Sequence, residues 1–300
     1  MTDKEYRSGF VALIGRPNAG KSTLLNTLIG QKIAIMSDKP QTTRNKIMGV
    51  LTKSEGQIIF LDTPGIHKPK DKLGEYMVST ALDTLHEVDV IYYLVDVTVP
   101  FGGGEAYVID ALSKVNTPVF LLLNKIDRIP KPEILPLIEF YQGKHKWTEV
   151  VPISALKGEN TDSLIRATLQ YLPPGPQYYP EDAITDQPER LIVAELIREK
   201  VIQATREEVP HSVAVEVELM ERRSPELVYV GATIYTERDS QKGILIGKKG
   251  EMLKNIGSQA RQDIERLLGN KVFLELWVKV KADWRNRERL LREFGYSEQY

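Results

Sequence analysis

The sequence predicts an α/β protein in which a doubly wound, mostly parallel sheet is followed by a small α+β domain. Three observations support this prediction. Short runs of consecutive apolar residues alternate with amphipathic stretches from the N-terminus to about residue 172. A proline-rich segment interrupts the pattern at residues 173–180, and the order of elements changes beyond it. A chain of 300 residues is also long enough for roughly two domains.

The apolar runs predict strands that are buried on both faces. They lie at residues 10–14, 58–61, 90–95 and 119–123. Such strands, when helices separate them, indicate a parallel sheet that is covered by helices on both sides. Ligands of these sheets bind at the carboxyl ends of the strands. Candidate site residues should therefore follow the apolar runs directly.

The proline-rich segment is interpreted as an interdomain linker, because prolines lack an N–H donor and fix φ. We place the first domain at residues 1–175, the linker at 176–187 and the second domain at 188–300. The second domain has the predicted order α-β-β-α-β-α, ending in a helix. Its other helices are expected near 188–207 and 250–268, and its strands near 213–221, 227–236 and 271–280.

Composition limits the class of protein. With 42% hydrophobic and 27% charged residues, the chain resembles a soluble globular protein rather than a disordered or fibrous one. The absence of cysteine excludes disulfides and thiolate metal sites and favours a reducing compartment. The charged N-terminus lacks the apolar stretch of a signal peptide, and no apolar run is long enough to span a bilayer. We therefore expect a cytoplasmic protein.

The charge distribution is informative although the net charge is only −1. Residues 181–240 hold 7 Lys/Arg and 14 Asp/Glu, whereas residues 241–292 hold 13 Lys/Arg and 6 Asp/Glu. A local positive excess of this kind is expected of a surface that binds a polyanion.

A phosphate-binding loop follows the first predicted strand and precedes a helix-like stretch. Residues 15–22 match the G-x-x-x-x-G-K-[ST] pattern. In such a loop backbone N–H groups surround phosphate oxygens, so that Lys21 would reach the β- and γ-phosphates and Ser22 would bind Mg²⁺. The predicted nucleotide contacts are Gly15, Arg16, Pro17, Asn18, Ala19, Gly20, Lys21, Ser22 and Thr23.

A second motif, D-x-x-G, follows the predicted strand that ends at Leu61. It places Asp62 beside Mg²⁺ and the N–H of Gly65 near the γ-phosphate. Thr63, Pro64 and Ile66 are included among the expected nucleotide contacts. Since D-x-x-G alone is a weak signal, the choice of nucleotide depends on two later loops.

These two loops predict guanine rather than adenine. The N-K-x-D motif at residues 124–127 follows the strand that ends at Leu123 and offers a carboxylate to the N1–H and 2-amino donors of guanine. Adenine has no such pair of donors. The S-A-L-K segment at residues 154–157 resembles the loop whose N–H contacts guanine O6. The predicted guanine contacts are Asn124, Lys125, Asp127, Ser154, Ala155 and Leu156.

With four motifs in order, residues 8–172 resemble the translation-factor-class GTPases of the TrmE-Era-EngA group. The resemblance implies that residues 40–44 form the first switch, in which Thr43, or in second place Thr42, closes onto Mg²⁺ and the γ-phosphate. Lys21, Thr43 and Gly65 are thus the expected catalytic residues. Asn18 matches an asparagine that helps to hold K⁺ in potassium-dependent members, and such a cation could stabilise the transition state.

Two residues after the D-x-x-G motif bear on the reaction rate. Ile66 stands where Ras-like enzymes carry the glutamine that orients the attacking water, so slow intrinsic hydrolysis is expected. His67 is interpreted as a solvated switch residue rather than a general base. The other three histidines show no metal-ligand spacing.

The C-terminal part contains a G-x-x-G loop at residues 247–250, between an apolar run and a helix. The loop is weak evidence alone, but the element order around it resembles a type II KH domain, and the basic excess surrounds it. A KH loop clamps the backbone of about four nucleotides. The expected RNA-binding residues are Ile246, Gly247, Lys248, Lys249, Gly250 and Lys254.

The sequence resembles the Era family over essentially its whole length. The features that carry this resemblance are the GTPase motifs, the Tyr-Tyr-Pro linker, the Ser-Gln-Lys approach to the G-x-x-G loop and the tryptophan-containing C-terminal segment. The resemblance implies a monomeric switch that cycles between GTP and GDP. Its expected partners are small-subunit ribosomal RNA near the 3′ end and the assembling small ribosomal subunit, with part of the protein on the inner membrane surface.

Two other functions were weighed. A tRNA-modification GTPase would need a further chemistry-bearing domain and a C-terminal cysteine, and the sequence has neither. A membrane-surface GTPase would use the basic C-terminal face on anionic lipid headgroups. It ranks last because no basic amphipathic helix stands apart from the predicted domains.

Overall fold

A computed structural model describes residues 5–296, and its contacts divide the chain into two compact units. The first unit comprises Met1–Ala34, Thr43–Pro69 and Met77–Asp186, and the second comprises Ile35–Thr42, Lys70–Tyr76 and Gln187–Tyr300. The domain bounds derived from the sequence stay predictions. The charged start of the chain, at residues 1–4, lies outside the described residues.

Within the described residues, the first unit contains one six-stranded sheet with the order β2-β3-β1-β4-β5-β6. Among the described strand pairs of this sheet, only β2–β3 is antiparallel. The predicted mostly parallel sheet is therefore confirmed. The strands are β1 (Arg7–Gly15), β2 (Ile47–Lys53), β3 (Gly56–Asp62), β4 (Val90–Asp96), β5 (Val119–Asn124) and β6 (Glu149–Ile153).

Helices cover both faces of this sheet, as the apolar runs predicted. Alternate residues of each central strand enter different cores, so that Leu13 belongs to one cluster and Ala12 to the other. Residues of α1 and α5 join the first cluster, whereas residues of α3 and α4 join the second. The helices that begin in this unit are α1 (Lys21–Ile29), α3 (Gly103–Leu112), α4 (Ile134–Gln142) and α5 (Thr161–Tyr171), and α2 (Lys72–Asp83) belongs to it from Met77 onward.

Strand β2 has no counterpart among the predicted apolar runs. It lies at the edge of the sheet, where its second half is only partly buried, and a search for consecutive apolar residues misses such a strand. Its outer edge is covered by the segment that follows α5. The N–H of Val50 donates to the carbonyl of Ile184 at 2.9 Å, and the Thr185 hydroxyl donates to the carbonyl of Met48 at 2.7 Å.

Gln57 fixes the proline-rich segment to the first unit. The side chain is fully buried, and its Oε1 accepts the N–H groups of Tyr178 and Tyr179, both at 2.9 Å. Its Nε2 donates to the Tyr179 carbonyl and to the Thr52 hydroxyl, again at 2.9 Å. One side chain thereby holds two consecutive residues of the segment, which is ordered against β3 at this point.

Replacing Gln57 by leucine is expected to lower the free energy of unfolding by about 2–3 kcal/mol, because the volume is kept while the polar groups that it contacts lose their partner. Urea unfolding of the full chain measures the change. The exposed Gln142 at the end of α4 supplies a matched control, since Gln142→Leu should stay within about 0.5 kcal/mol of the wild type. Equal losses in the two variants would contradict the inferred role of Gln57.

The second unit contains a three-stranded sheet with the order β7-β8-β9, in which β7–β8 is antiparallel and β8–β9 is parallel. Its core lies between this sheet and the helices α6 and α9. The predicted small α+β fold is confirmed. Its elements are α6 (Glu189–Ala204), α7 (Val209–Ser212), β7 (Ala214–Ser224), β8 (Leu227–Thr236), α8 (Asp239–Ile246), α9 (Glu251–Leu268), β9 (Lys271–Val280) and α10 (Glu288–Glu293).

The helix α8 was not predicted. It has 8 residues, including Gly243, and such a short stretch gives little periodic signal. Its start is fixed by Gln241, whose Oε1 accepts the N–H groups of Glu237 at 3.0 Å and Arg238 at 3.1 Å. What the sequence presents as an apolar run before the G-x-x-G loop is thus the last turn of a capped helix.

Candidate nucleotide site and nucleic-acid interface

The phosphate-binding loop connects the carboxyl end of β1 to α1. Gly20 adopts φ +99°, and a Cβ there would lie 2.2 Å from Asn124 Nδ2, so the position requires glycine. Lys21 is buried, and its Nζ donates to the carbonyls of Gly15 at 3.2 Å and Arg16 at 3.1 Å. Burial lowers the pKa of the Lys21 ammonium to about 8, although the charge of Asp62 opposes this shift.

The other residues of the loop differ in the burial and hydrogen bonding of their side chains. The Arg16 guanidinium bonds to Glu105, with Nη1 2.7 Å from Oε1, so a contact of Arg16 with nucleotide would use its backbone. Asn18 is exposed and adopts φ +66°. Ala19 is buried, and Pro17 and Thr23 are half-buried.

Three oxygen-bearing side chains that were predicted to hold Mg²⁺ come together. Ser22 Oγ donates to Asp62 Oδ2 at 2.6 Å and lies 2.9 Å from Thr43 Oγ1. Thr43 Oγ1 is 3.4 Å from the same carboxylate oxygen. The Thr42 hydroxyl instead donates to the carbonyl of Lys39 at 2.6 Å, which favours Thr43 over Thr42 as the ligand.

The chemistry of this cluster fits a hard divalent cation, because Mg²⁺ prefers oxygen ligands and carboxylates above all. Asp62 Oδ1 is buried and, among the described residues, has no hydrogen-bond partner. Burial also raises the pKa of Asp62 to about 6, against the opposing charge of Lys21 and the hydroxyls of Ser22 and Thr43. A cation beside this carboxylate would satisfy the oxygen and favour its charged form.

The residues after Asp62 pack against the phosphate-binding loop. The Ile66 N–H donates to the Gly15 carbonyl at 3.1 Å, while the Ile66 side chain is only 2% exposed. The Thr63 hydroxyl donates to the Leu13 carbonyl at 2.8 Å, which leaves its backbone for any contact with nucleotide. Pro64 and Gly65 are buried. The buried side chain of Ile66 therefore belongs to the core of the first unit.

His67 is less solvated than the sequence suggested. The residue is half-buried, and its Nδ1 lies 2.7 Å from the Gly65 carbonyl. Because a carbonyl oxygen only accepts hydrogen bonds, Nδ1 carries the proton in this contact. The imidazole is therefore held by the segment that carries Gly65, whose N–H is predicted to lie near the γ-phosphate.

Asn124 links the phosphate-binding loop to the two loops that are predicted to contact guanine. Its Nδ2 donates to the Ala19 carbonyl at 2.8 Å, and its Oδ1 accepts the Ala155 N–H at 2.9 Å. Asp127 Oδ1 accepts the Ser154 hydroxyl at 2.6 Å. The structure thus brings the N-K-x-D and S-A-L-K motifs together beside the phosphate-binding loop.

Lys125 and Leu156 flank this arrangement. Lys125 adopts φ +70° and forms an ion pair with Asp96, and Leu156 is 67% exposed. Sequence reasoning missed Asp96, although its place at the carboxyl end of a predicted strand could have identified it. It also missed Glu105, the partner of Arg16, for which the sequence offers no comparable signal.

The G-x-x-G loop lies between α8 and α9. Gly247 adopts φ +71°, and a Cβ there would lie 2.7 Å from the Cβ of Met252. Lys248 and Lys249 are both exposed, and Lys249 adopts φ +52°. The half-buried Ile246 packs against the core of the second unit. The loop therefore presents two exposed cations.

A groove of about 560 Å³ lies beside this loop, between α9 and β9. Gly250 and Lys254 line it, as the sequence predicted for RNA contacts, and its apolar residues include Leu253 and Leu276. Arg261 also lines the groove and was missed. It follows Lys254 by two helical turns, a spacing that could have placed it on the same face.

Two further features of the described residues limit the chemistry of the protein. No group of three or more His, Cys, Asp or Glu side chains in residues 5–296 is arranged to hold a metal ion. Over the same residues, no helix combines the length and the apolar character that crossing a membrane requires.

Comparison with known proteins gives matches in both units. The model of a family described as a 50S ribosome-binding GTPase matches residues 10–125, and a KH-domain model matches residues 208–285. The chain is similar to an Era variant from Aquifex aeolicus bound to GDP and AlF4⁻, with 48% identity, coverage of 97% of this chain and 100% of that chain, and a TM-score of 0.94. It is also similar to Era in complex with MgGDPNP and nucleotides 1506–1542 of 16S ribosomal RNA, with 47% identity, 98% and 100% coverage, and a TM-score of 0.95.

Proposed function

This chain belongs to the Era family of GTPases, and from that premise we propose that it binds small-subunit ribosomal RNA near its 3′ end and acts in assembly of the small subunit as a GTP-hydrolysing switch. The observation that carries the proposal is the presence, in one chain, of a guanine-nucleotide site and a lysine-bearing G-x-x-G loop beside a groove. The solved relative that holds both a GTP analogue and 16S ribosomal RNA supports the combination.

Hydrolysis relies on positioning and charge, since phosphoryl transfer asks little covalent chemistry of the protein. Lys21 would contact the β- and γ-phosphates from its place beside the loop carbonyls. Mg²⁺, which is present in a solved relative with a GTP analogue, would be held by Ser22, Thr43 and Asp62 and would neutralise phosphate charge. The Gly65 N–H would respond to the γ-phosphate. The buried side chain of Ile66 supports slow intrinsic turnover.

Binding of RNA rests on the second unit. Lys248 and Lys249 would approach phosphates, while bases would enter the groove whose walls include Lys254 and Arg261. Nucleotide dependence requires that RNA bind one nucleotide state more tightly than the other, because only a difference in affinity couples two sites.

The proposal is tested by titrating the full chain, loaded with GDPNP or GDP, against a labelled oligonucleotide of the 3′ end of small-subunit ribosomal RNA. A scrambled oligonucleotide is the control, and salt is fixed because phosphate contacts alone give nonspecific affinity. Tighter binding of the true sequence in the GDPNP state is expected. Equal affinity for both oligonucleotides would contradict the RNA assignment, and equal affinity in both nucleotide states would contradict the switch.

We also propose that K⁺ stimulates hydrolysis through Asn18. Its exposed side chain at the phosphate-binding loop supports a role as a ligand of a monovalent cation, which would add positive charge near the transferred phosphate. Turnover in K⁺ is expected to exceed turnover in Na⁺ by about tenfold, less than the effect of a single hydrogen-bond donor at a transition state. Asn18→Ala should remove the difference between the salts. Equal wild-type turnover in Na⁺ and K⁺ would exclude the proposal.

For location and assembly state, we propose a cytoplasmic monomer with partial, peripheral contact to the inner membrane surface. The basic excess of residues 241–292 supports contact with anionic lipid. Flotation with anionic vesicles at low and high salt tests the contact, and sedimentation tests the monomer. Failure to float at low salt would contradict the membrane part alone.

A further inference from the structure

Glu105 is a buried acid in the first turn of α3, and its partner is a residue of the phosphate-binding loop. Arg16 Nη1 lies 2.7 Å from Glu105 Oε1 and 2.9 Å from Oε2. The Glu105 side chain is 7% exposed and that of Arg16 is 39% exposed. Glu105 Oε2 also accepts the Gly102 N–H at 3.1 Å, which ties the acid to the start of its own helix.

Arg16 is held at its backbone as well as at its side chain. Its carbonyl accepts Lys21 Nζ at 3.1 Å and the Ala19 N–H at 3.3 Å. The chain of contacts therefore runs from the start of α3 through the ion pair to the carbonyl that holds the phosphate-binding lysine. Charge-assisted bonds in which one guanidinium nitrogen contacts both carboxylate oxygens are directional. They restrict where Arg16, and with it Lys21, can lie.

We propose that Glu105 is a positioning residue for GTP hydrolysis, acting through Arg16 to fix the ammonium of Lys21. This inference rests on the proposed GTP-hydrolysing function. In the reaction, water attacks the γ-phosphorus and the bond to the β–γ bridging oxygen breaks. Both protons of the water end on the released inorganic phosphate, H2PO4⁻, and GDP leaves with the negative charge that Lys21 stabilises. A small displacement of Lys21 costs more in the transition state than in the bound ground state, because the charge on the leaving oxygen develops there.

Gly104 provides a way to disturb the ion pair without removing either charge. A Cβ at this position would lie 2.6 Å from Arg16 Nε and 2.9 Å from Arg16 Cδ. Gly104→Ala should therefore push the guanidinium aside. Because alanine favours the helical state more than glycine does, the same substitution tends to stabilise α3. A variant that is at least as stable as the wild type and yet slower would separate positioning from folding.

The test measures single-turnover GTP hydrolysis, the KM for GTP and the thermal midpoint for Glu105→Gln, Arg16→Met, the double variant and Gly104→Ala. Each single variant is expected to lower kcat about tenfold with KM changed less than threefold, as for an interaction made mainly in the transition state. The double variant should be no slower than Arg16→Met alone, because the two residues act as one pair. Glu139→Gln, an exposed acid on α4, is the matched control with unchanged kcat.

Additive losses in the double variant, or wild-type kcat in Gly104→Ala, would overturn the inference. A fall in kcat that tracks a fall in thermal midpoint across all variants would also overturn it, since that pattern indicates a structural role. These results differ from failure of the proposed function, which would appear as a wild-type chain that does not hydrolyse GTP. None of these kinetic outcomes changes the result expected for the RNA titration.

Discussion

Asp127→Asn is expected to weaken GTP binding by a factor of roughly 10² to 10³ and to make xanthosine triphosphate the preferred nucleotide. The carboxylate of Asp127 is predicted to accept the N1–H and 2-amino donors of guanine, whereas an amide would present one donor towards them. Xanthine carries a carbonyl at C2, which can accept a bond from that amide. The loss corresponds to about 3–4 kcal/mol of binding free energy.

The structure makes this substitution a clean test of base recognition. Asp127 Oδ1 accepts the Ser154 hydroxyl at 2.6 Å, and the oxygen of the substituted amide can keep that bond. Competition of GTP and xanthosine triphosphate against a fluorescent GDP derivative measures both affinities. Asp162→Asn, in the first turn of α5, makes the same chemical change away from the guanine motifs and should leave both affinities as in the wild type. A parallel loss for both nucleotides would mean that Asp127 supports the loop rather than reading the base.

The convergence of several predicted site residues could be foreseen from the sequence because these residues occupy fixed places in the topology. Asp62 is the last residue of a buried strand, and Ser22 lies in the first turn of the helix that follows another. The carboxyl ends of such strands meet at one edge of a parallel sheet. Convergence of Ser22, Thr43 and Asp62 follows from that rule once the motifs are in order. The contacts to nucleotide themselves stay predictions.

The side-chain network around the site could not be predicted in this way. Glu105 is 89 positions from Arg16, and Gln57 is 122 positions from Tyr179. No local pattern joins residues so far apart, because each pairing depends on how helices and loops pack after the sheet has formed. Burial then decides which polar groups are paired, and burial of a single Glu or Gln leaves no periodic signal in the sequence.

Element prediction failed where tertiary contacts replace local signals. Strand β2 is half-buried at a sheet edge, and its edge is covered by residues more than a hundred positions away, including Ile184. Helix α8 contains Gly243 and is started by the Gln241 cap. The long strands β8 and β9 and the helix α9 were predicted because 10 to 18 residues of regular pattern outweigh such local exceptions.

Reversing the charges of the G-x-x-G loop is the second substitution with a large expected effect. The double variant Lys248→Asp, Lys249→Asp should weaken binding of the ribosomal RNA oligonucleotide by at least about 10², because two phosphate contacts become repulsions. Both side chains are exposed, so the free energy of unfolding should change by less than about 1 kcal/mol. GTP hydrolysis without RNA should be unchanged.

The salt dependence of this variant distinguishes the loop from a diffuse basic surface. Loss of two phosphate contacts to a single strand should make the slope of log K against log salt shallower by about 1.4, at roughly 0.7 per contact. Lys131→Asp, Lys146→Asp makes the same charge change at exposed positions of the first unit and serves as the control. If the control lowers affinity and slope as much as the loop variant does, net charge alone governs binding. If only the loop variant does so, the two lysines contact phosphates directly, and the bases beside them are brought to the groove between α9 and β9.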